Sequence, residues 1–345
     1  MSFHVHRLAA AVCAALSCAV LACAPEPRGV RVLVAGSESR EGTFVAMLWD
    51  DGRAIPLDEE HPSSANAIAV AGSDVYVAGV AQLGEHSEAV YWRNGEVVRL
   101  TDGMQSSGAN AIAVAGGSVY VAGYRENEAM LWKEGEAIPL TTGAIYAGAL
   151  AMAVTESGVY VAVVVGEQIE VEPGVLETRT TAKLWVNGVV QSLTDGQTVR
   201  RAIPGAIAVT GSDVHVAMTT DAFDPVGADE AVLWTNGELQ QLSGANQLAW
   251  AEAVALAGTD VIVGGSRVDF AAETPTQEPV IWRNGVLQVV APVSGQITAL
   301  ATHGEDVYAG GRDEGLSVLW VNGDRRPIGD PANFFRIEAI AVQPR

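Results

Sequence analysis

The chain has 345 residues, of which 49% are hydrophobic and 18% charged, so a large core is available and a disordered chain is excluded. The formal net charge is −21. An acid excess of this size argues against nucleic acid or an anionic lipid surface as partner, because both require a basic face.

The amino terminus has the layout of an export signal. His4, His6 and Arg7 precede an apolar run from Leu8 to Ala22. That run is about 15 residues long, which is too short to span a bilayer comfortably as a helix. Residues 1–22 are therefore predicted to be a signal peptide that does not belong to the fold.

The end of this signal resembles the bacterial lipobox. Val20-Leu21-Ala22-Cys23 carries the resemblance, which implies cleavage before Cys23 and lipidation of its thiol. The alternatives are lipidation of Cys18 and an ordinary secretory signal with a chance cysteine. Residues 23–29 then form a tether, and the protein is expected to be lipid-anchored at the outer membrane or cell surface, touching the membrane only through the anchor.

The rest of the chain, residues 30–345, is a repeat. The segment from Ala67 to Leu100 returns almost unchanged from Ala111 to Leu140. A tryptophan ends the same short apolar segment in each unit, at Trp49, Trp92, Trp132, Trp185, Trp234, Trp282 and Trp320. Each is followed two residues later by a turn such as Asn94-Gly95, which is a strong signal for a β-hairpin.

Each unit divides into four short strands, A to D, with no helical period between them. Strand A is the Ala-Ile-Ala-Val type, strand B the Val-Tyr-Val-Ala type, strand C ends in the tryptophan, and strand D follows the turn. The chain starts on a B strand and ends on an A strand, Ile337 to Val342. We therefore predict an all-β, seven-bladed β-propeller of four-stranded blades, with the ring closed by the C-terminal strand.

At the level of the repeat, the chain resembles secreted bacterial propellers with Ala-x-Leu-Trp-x-x-Gly units, including the extracellular HAF-type repeats. The triplets Met47-Leu48-Trp49, Met130-Leu131-Trp132, Lys183-Leu184-Trp185 and Val232-Leu233-Trp234 carry the resemblance. The resemblance implies a propeller fold and export of the protein, and it implies no enzymatic activity.

In a propeller the B–C and D–A connections share one face, and variable loops on a rigid scaffold tend to carry function. Three long B–C loops are expected at Val165–Thr180, Thr219–Asp229 and Ser266–Glu278. They are rich in acids, which favours either a cation or basic-partner patch or tolerated insertions. No metal or other cofactor is predicted, since the acids lack calcium-loop spacing.

Aromatic residues outside the repeat positions should project toward the same face. They are Phe223 and Phe270 in B–C loops and Trp250, Phe334 and Phe335 in D–A connections. Exposed aromatic rings bind sugars and peptide side chains, so these five are candidate ligand-binding residues. The alternative for Trp250 and Phe335 is packing of strand A against its neighbour.

The residue before each strand A should surround the mouth of the central channel. These residues are Asn66, Asn110, Leu150, Gly205, Glu252, Thr298 and Glu338. Glu252 and Glu338 are the further candidate site residues, because paired carboxylates can bind ligands or serve glycoside hydrolysis.

The sequence thus predicts a non-enzymatic binding or scaffolding module of the bacterial cell envelope, with the B–C and D–A loops as its ligand face. A glycan-active enzyme centred on Glu252 and Glu338 is the alternative, and a structural member of an envelope complex is a third. The expected partner is an envelope protein or a glycan, with no nucleic acid, and the protein is expected to be a monomer.

Overall fold

The computed structural model describes residues 29–222, 229–244, 247–270, 274–329, 333 and 335–345. The predicted signal peptide and Cys23 therefore lie outside the described residues. The described part of the chain forms 28 β-strands and contains no helix, which confirms the prediction of an all-β fold. Consequently, no helix in these residues could cross a membrane.

The A strands carry the Ala, Ile and Val runs of the repeat. They are β4 (Ser63–Ala71), β8 (Ser107–Ala115), β12 (Tyr146–Thr155), β16 (Val199–Thr210), β20 (Ala249–Ala257), β24 (Gly295–His303) and β28 (Phe335–Pro344). Each contacts the next in this order, and β28 also contacts β4. The A strands therefore lie next to one another in chain order.

The B and C strands are joined in antiparallel pairs. The B strands are β1 (Val30–Arg40), β5 (Asp74–Ala81), β9 (Ser118–Arg125), β13 (Gly158–Glu172), β17 (Asp213–Ala222), β21 (Asp260–Asp269) and β25 (Asp306–Asp313). The C strands are β2 (Thr43–Asp50), β6 (Glu88–Arg93), β10 (Glu128–Lys133), β14 (Val175–Val186), β18 (Asp229–Thr235), β22 (Thr276–Arg283) and β26 (Leu316–Val321).

The D strands are four residues long and mostly exposed, as expected of outer edge strands kept short against aggregation. They are β3 (Arg53–Pro56), β7 (Glu96–Arg99), β11 (Glu136–Pro139), β15 (Val189–Ser192), β19 (Glu238–Gln241), β23 (Val286–Val289) and β27 (Asp324–Pro327).

In the described residues these strands form six sheets, whereas the sequence predicted seven separate four-stranded blades. Five sheets have four strands, and the sixth has eight because β14 and β16 are joined by a parallel bridge between Thr180 and Arg201. The bridge forms because β13 and β14 extend far beyond the usual length and reach the start of β16.

The last strand lies in the same sheet as the first three. β28 pairs with β1 in an antiparallel register that runs from Val30 opposite Pro344 to Glu38 opposite Phe335. The amide of Arg345 continues this pairing by donating to the carbonyl of Gly29 at 2.9 Å. The two ends of the described chain are therefore held together by main-chain hydrogen bonds.

The repeated tryptophans pack between neighbouring sheets. Trp92 lies in one buried cluster with Leu33 and Leu48 of the preceding sheet, and Trp132 shares a cluster with Tyr76 in the same way. Aromatic side chains bury large apolar areas, so this arrangement stabilises the association of sheets that share few main-chain bonds. The predicted packing role of the tryptophans is confirmed.

The C–D turns also form hydrogen bonds that hold the neighbouring A–B turns. Both turn residues have positive φ, for example 52° at Asn94 and 88° at Gly95, as the two-residue hairpin turn requires. The Asn94 Oδ1 also accepts from the amide of Val75 at 2.9 Å, and its Nδ2 donates to Asp74 at 2.9 Å. The turn thereby fastens the A–B turn of its own unit.

This clamp recurs in other units. The amide at the start of strand B donates to the turn asparagine in the pairs Val159–Asn187, Val214–Asn236, Val261–Asn284 and Val307–Asn322. The asparagine then donates to an A–B turn aspartate in Asn236–Asp213, Asn284–Asp260 and Asn322–Asp306. The face that carries these turns is therefore built by repeated structural contacts.

Candidate functional site

On the opposite face, each A strand contains a β-bulge at an equivalent position, and β16 has a second one at Arg200. The seven bulge residues of the described strands are Asn66, Asn110, Leu150, Gly205, Glu252, Thr298 and Glu338. They are the residues that the sequence placed around the channel mouth, and we refer to them as the mouth ring. Because a bulge leaves its residue without a partner in the ladder, its side chain is free to point elsewhere.

Three members of the mouth ring donate a hydrogen bond to the next A strand. The Asn66 Nδ2 donates to Ala109 O at 2.9 Å, and the Asn110 Nδ2 donates to Ala149 O at 2.9 Å. The Thr298 Oγ1 donates to Ile337 O at 2.6 Å. In each case the acceptor is the residue just before the next bulge, so these side chains join successive A strands around the ring.

The other four members differ: Leu150 and Gly205 have no side-chain donor, and the carboxyls of Glu252 and Glu338 can donate only when they are protonated. Burial raises the pKa of Glu252 to about 7, with Arg336 lowering it in part and Glu338 raising it further. Burial also raises the pKa of Glu338, against the opposing charge of Arg336. The structure thus brings the two predicted carboxyls close enough to influence each other.

Arg336 is the residue of this group that the sequence reasoning missed. Its Nε lies 2.6 Å from the Glu338 Oε1, and more than half of its side chain is exposed above the mouth ring. It stands two residues before Glu338, so strand alternation puts both on one face. Reading back two residues from each ring position would have found Arg336, and it finds Trp250 two residues before Glu252.

A small cavity connects Trp250 with Glu252. It has a volume of about 210 Å³, lies between β16 and β20, and is lined by Arg201, Ile203, Gly205, Thr219, Asp229, Trp250, Ala251 and Glu252. The Trp250 Nε1 donates to Asp229 Oδ2 at 2.8 Å, and Arg201 pairs with the other oxygen of the same carboxylate. These bonds fix the indole at the wall of the cavity.

Two further cavities lie beside the mouth ring, on either side of β28. One of about 370 Å³ is lined by Phe44, Asn66 and Glu338 among others, and one of about 190 Å³ by Gln296, Thr298 and Phe335 among others. Arg336 lines both of them. A positively charged side chain therefore stands between two concave surfaces, beside a carboxyl pair.

The other predicted aromatic residues differ from one another in how far they are exposed. Phe335 is only 2% exposed and its ring centroid is 3.8 Å from that of Trp49, so most of its ring packs in the core, as the alternative interpretation of this residue expected. Its assignment as a ligand-binding residue stays a prediction. Phe270 is 56% exposed at the end of β21. Phe223 and Phe334 lie outside the described residues.

The predicted loop Val165–Thr180 is instead a paired hairpin. β13 and β14 stay in register almost to their ends, where Glu172 lies opposite Val175. Ile169 packs against the D–A connection at Gly196, where a Cβ would come within 2.3 Å of it. Ile169 and Val171 alternate with Glu170 and Glu172, which is a strand pattern that the sequence reasoning overlooked.

The other two long loops are also shortened by pairing. Asp221 lies opposite Asp229, and Asp269 lies opposite Thr276. The acids of the first hairpin have partners in part, since Glu167 pairs with Lys183 at 2.7 Å and Glu177 with Arg179 at 2.8 Å. Within the described residues, no group of three or more His, Cys, Asp or Glu side chains is arranged to hold a metal ion.

Comparison with known proteins gives the class of the fold. No protein-family profile and no curated protein matches the chain. Among solved structures, the β-propeller domain of the Trilobed protease from Pyrococcus furiosus matches 88% of this chain and 96% of its own, with 9% identity and a TM-score of 0.57. The Pyrococcus horikoshii acylaminoacyl peptidase matches 88% of this chain, with 11% identity and a TM-score of 0.55.

These matches define the fold as a β-propeller. The chain spans 51% of the length of the acylaminoacyl peptidase. It also spans 43% of a chain from a study of two prolyl endopeptidases, with 16% identity over 79% of this chain and a TM-score of 0.49. At such identities the likeness establishes the fold alone.

The comparison also corrects the function predicted from the sequence. The two structures described above with a TM-score over 0.5 both come from peptidases. The prediction of a non-enzymatic binding or scaffolding module of the cell envelope is therefore wrong, and so is its glycan-active alternative.

Proposed function

We propose that this propeller serves peptide hydrolysis by holding peptide substrates over its mouth ring. The observation that carries the proposal is the group formed by Glu252, Arg336 and Glu338, which combines a raised carboxyl pKa, an exposed guanidinium and adjoining cavities. A peptide presents both charges and a polar main chain, so it complements such a mixed surface better than a neutral sugar does.

In this proposal the chain is one part of a peptidase and not an envelope scaffold. It holds the substrate, and a catalytic unit outside the described residues cleaves the bond. The coverage of the neighbours supports this division. The chain matches nearly all of the isolated propeller domain of the Trilobed protease but about half of the acylaminoacyl peptidase. Half of the latter chain therefore has no counterpart here.

We also propose that the fold is a closed ring of seven blades. Each half of the eight-stranded sheet has the A-to-D order of the other units, and a single bridge joins the halves. The A strands contact one another in succession, with β28 between β24 and β4. Under this interpretation the long hairpin of the fourth blade overlaps the edge of the fifth.

We propose further that the chain is an exported lipoprotein of the HAF-like repeat type, anchored in the envelope through Cys23. The lipobox-like segment before Cys23 and the Leu-Trp triplets support this proposal. Replacing Cys23 with serine should release the protein from the membrane fraction into the soluble fraction. Retention of the C23S variant in membranes would contradict the anchoring.

The proposed function is tested by peptide capture. The full chain is immobilised, incubated with a tryptic digest of an unrelated protein, and the retained peptides are measured by mass spectrometry. Arg336→Gln should reduce retention. The matched control is Arg283→Gln, which removes an arginine paired with Asp260 on the opposite face and should leave retention unchanged.

Two results would count against the proposal. One is that the unaltered chain retains no peptide, and the other is that Arg336→Gln and Arg283→Gln behave alike. Cleavage of the captured peptides by the purified chain alone would contradict the division of labour.

A further inference from the structure

Glu252 is a largely enclosed carboxyl with an incomplete set of contacts. Within the described part of the chain it has no hydrogen-bond or ion-pair partner, although Glu338 has Arg336 and Asp229 has both Arg201 and Trp250. Glu252 is partly withdrawn from water, and a carboxyl without a protein partner keeps its hydrogen-bonding capacity for a group that enters the adjoining cavity. A ligand that donates hydrogen bonds would complete the site.

The cavity beside Glu252 limits what that ligand can be. At about 210 Å³ it is smaller than the roughly 300–1,000 Å³ of pockets for drug-sized ligands, so it accommodates one side chain and its amine and excludes an extended molecule. Its walls combine apolar surface from Ile203 and Ala251 with the indole of Trp250. An ammonium group next to an apolar chain satisfies both surfaces, and the indole adds a cation–π attraction.

The indole is held for this role by bonds that do not use Glu252. Asp229 accepts from the Trp250 Nε1 at 2.8 Å and pairs with Arg201 through its other oxygen. Because both oxygens of Asp229 are engaged, the Glu252 carboxyl is the acceptor left for an incoming cation. Gly205 brings β16 close to β20 at this point, since a Cβ there would lie 2.7 Å from Ala251 O.

We propose that Glu252 and Trp250 form a binding site for a primary ammonium group of the peptide, with the adjoining side chain seated in the cavity between β16 and β20. This inference rests on the proposed function, because it names the feature of the peptide that the mouth ring recognises. The ammonium donates to the carboxylate, and the apolar part of the same residue packs on the indole. The source is either the α-amino group of a peptide terminus or the ε-amino group of a lysine.

The test is calorimetric titration of the full chain with three peptides. The first is Leu-Ala-Ser-Ala-Gly amide with a free amino terminus, the second is the same peptide acetylated, and the third is acetylated with lysine in place of leucine. A charge-assisted hydrogen bond to a buried carboxylate predicts that the acetylated leucine peptide binds on the order of tenfold to a hundredfold more weakly than the free one. This comparison uses the unaltered protein.

The third peptide and the pH profile identify the source. If the α-amino group is bound, the lysine peptide binds as weakly as the acetylated control, and affinity falls above about pH 8 as the α-amino group loses its proton. If a lysine is bound, the third peptide is the tight one and affinity persists to about pH 10. In both cases affinity falls below about pH 7 as Glu252 gains a proton.

The charged groups facing Glu252 are Arg336 and Glu338 on β28, Arg201 on β16 and Asp229 on β18.

A substitution of Glu252 tests whether this carboxyl causes the preference for the amine. Glu252→Gln keeps the shape of the side chain and should remove the preference for the amine, so that all three peptides bind alike. The matched control is Glu305→Gln in an exposed A–B turn on the opposite face, which should keep the full preference.

The outcomes separate the two proposals. If free and acetylated peptides bind equally to the unaltered protein, or if Glu252→Gln keeps the preference, the ammonium site is wrong while peptide binding stands. If none of the three peptides binds, both the ammonium site and the proposed function are wrong.

Discussion

Replacing Glu252 with glutamine should stabilise the protein at alkaline pH and leave it unchanged in acid. The native state binds a proton at Glu252 with a pKa of about 7, against an ordinary value of 4.5 in the unfolded chain. Between these two values the native state holds more protons than the unfolded state. The free energy of unfolding therefore falls as the pH rises from about 4.5 to 7 and then levels off.

The size of the effect follows from the two pKa values. Moving a carboxyl pKa from 4.5 to about 7 corresponds to about 3 kcal/mol in the free energy of unfolding. Glutamine is neutral at every pH and resembles the protonated acid in shape. The variant should thus match the parent protein near pH 4.5 and exceed its stability by up to about 3 kcal/mol at pH 8.

The assay is urea unfolding of both proteins at pH 4.5, 6, 7 and 8, followed by tryptophan fluorescence. The difference between variant and parent cancels the many other carboxyls that titrate in an acidic protein. Glu305→Gln, in an exposed turn, is the control and should show no difference that grows with pH. A constant difference between Glu252→Gln and its parent from pH 4.5 to 8 would refute the burial argument.

The turn clamp predicts that Asn284→Gly, which keeps the φ of 51° but removes the bonds to Val261 and Asp260, lowers the free energy of unfolding by about 1–2 kcal/mol. Asn284→Ala should cost about 1 kcal/mol more because it adds left-handed strain. An unchanged stability of Asn284→Gly in chemical denaturation would contradict the clamp, and equal losses for the two variants would contradict the strain. Gly205→Ala should destabilise the protein by about 1–3 kcal/mol, because its Cβ would lie 2.7 Å from Ala251 O. Gly148→Ala is the matched control, since its nearest atom would be 3.9 Å away, and its melting temperature should not fall.

The sequence predicted the strands well because the local signals and the packing agree. Trp92 ends strand C and packs against the preceding sheet, and Asn94-Gly95 supplies the two positive φ values that the hairpin needs. Even the mouth ring could be located, because its members stand at a fixed place before the Ala-Ile-Ala-Val run. That they are bulge residues was not predicted, since a bulge leaves no residue type of its own in the repeat.

The remaining differences between the predicted and the observed structure come from contacts between units, which the sequence repeat does not encode. The extension of β13 and β14 and the bridge from Thr180 to Arg201 depend on what the hairpin of one unit meets in the next. The burial of Phe335 depends on Trp49, which is far away in the sequence. The pKa of Glu252 likewise depends on enclosure by neighbouring strands and on Arg336.

The most direct test of a peptide-holding mouth ring is a crystal structure of the full chain grown with the free-amine pentapeptide. We predict that the peptide lies across the mouth ring, with its amino group on the Glu252 carboxylate and its first side chain in the cavity beside Trp250. Peptide bound elsewhere on the propeller, with the mouth ring unoccupied at saturating peptide, would contradict the account.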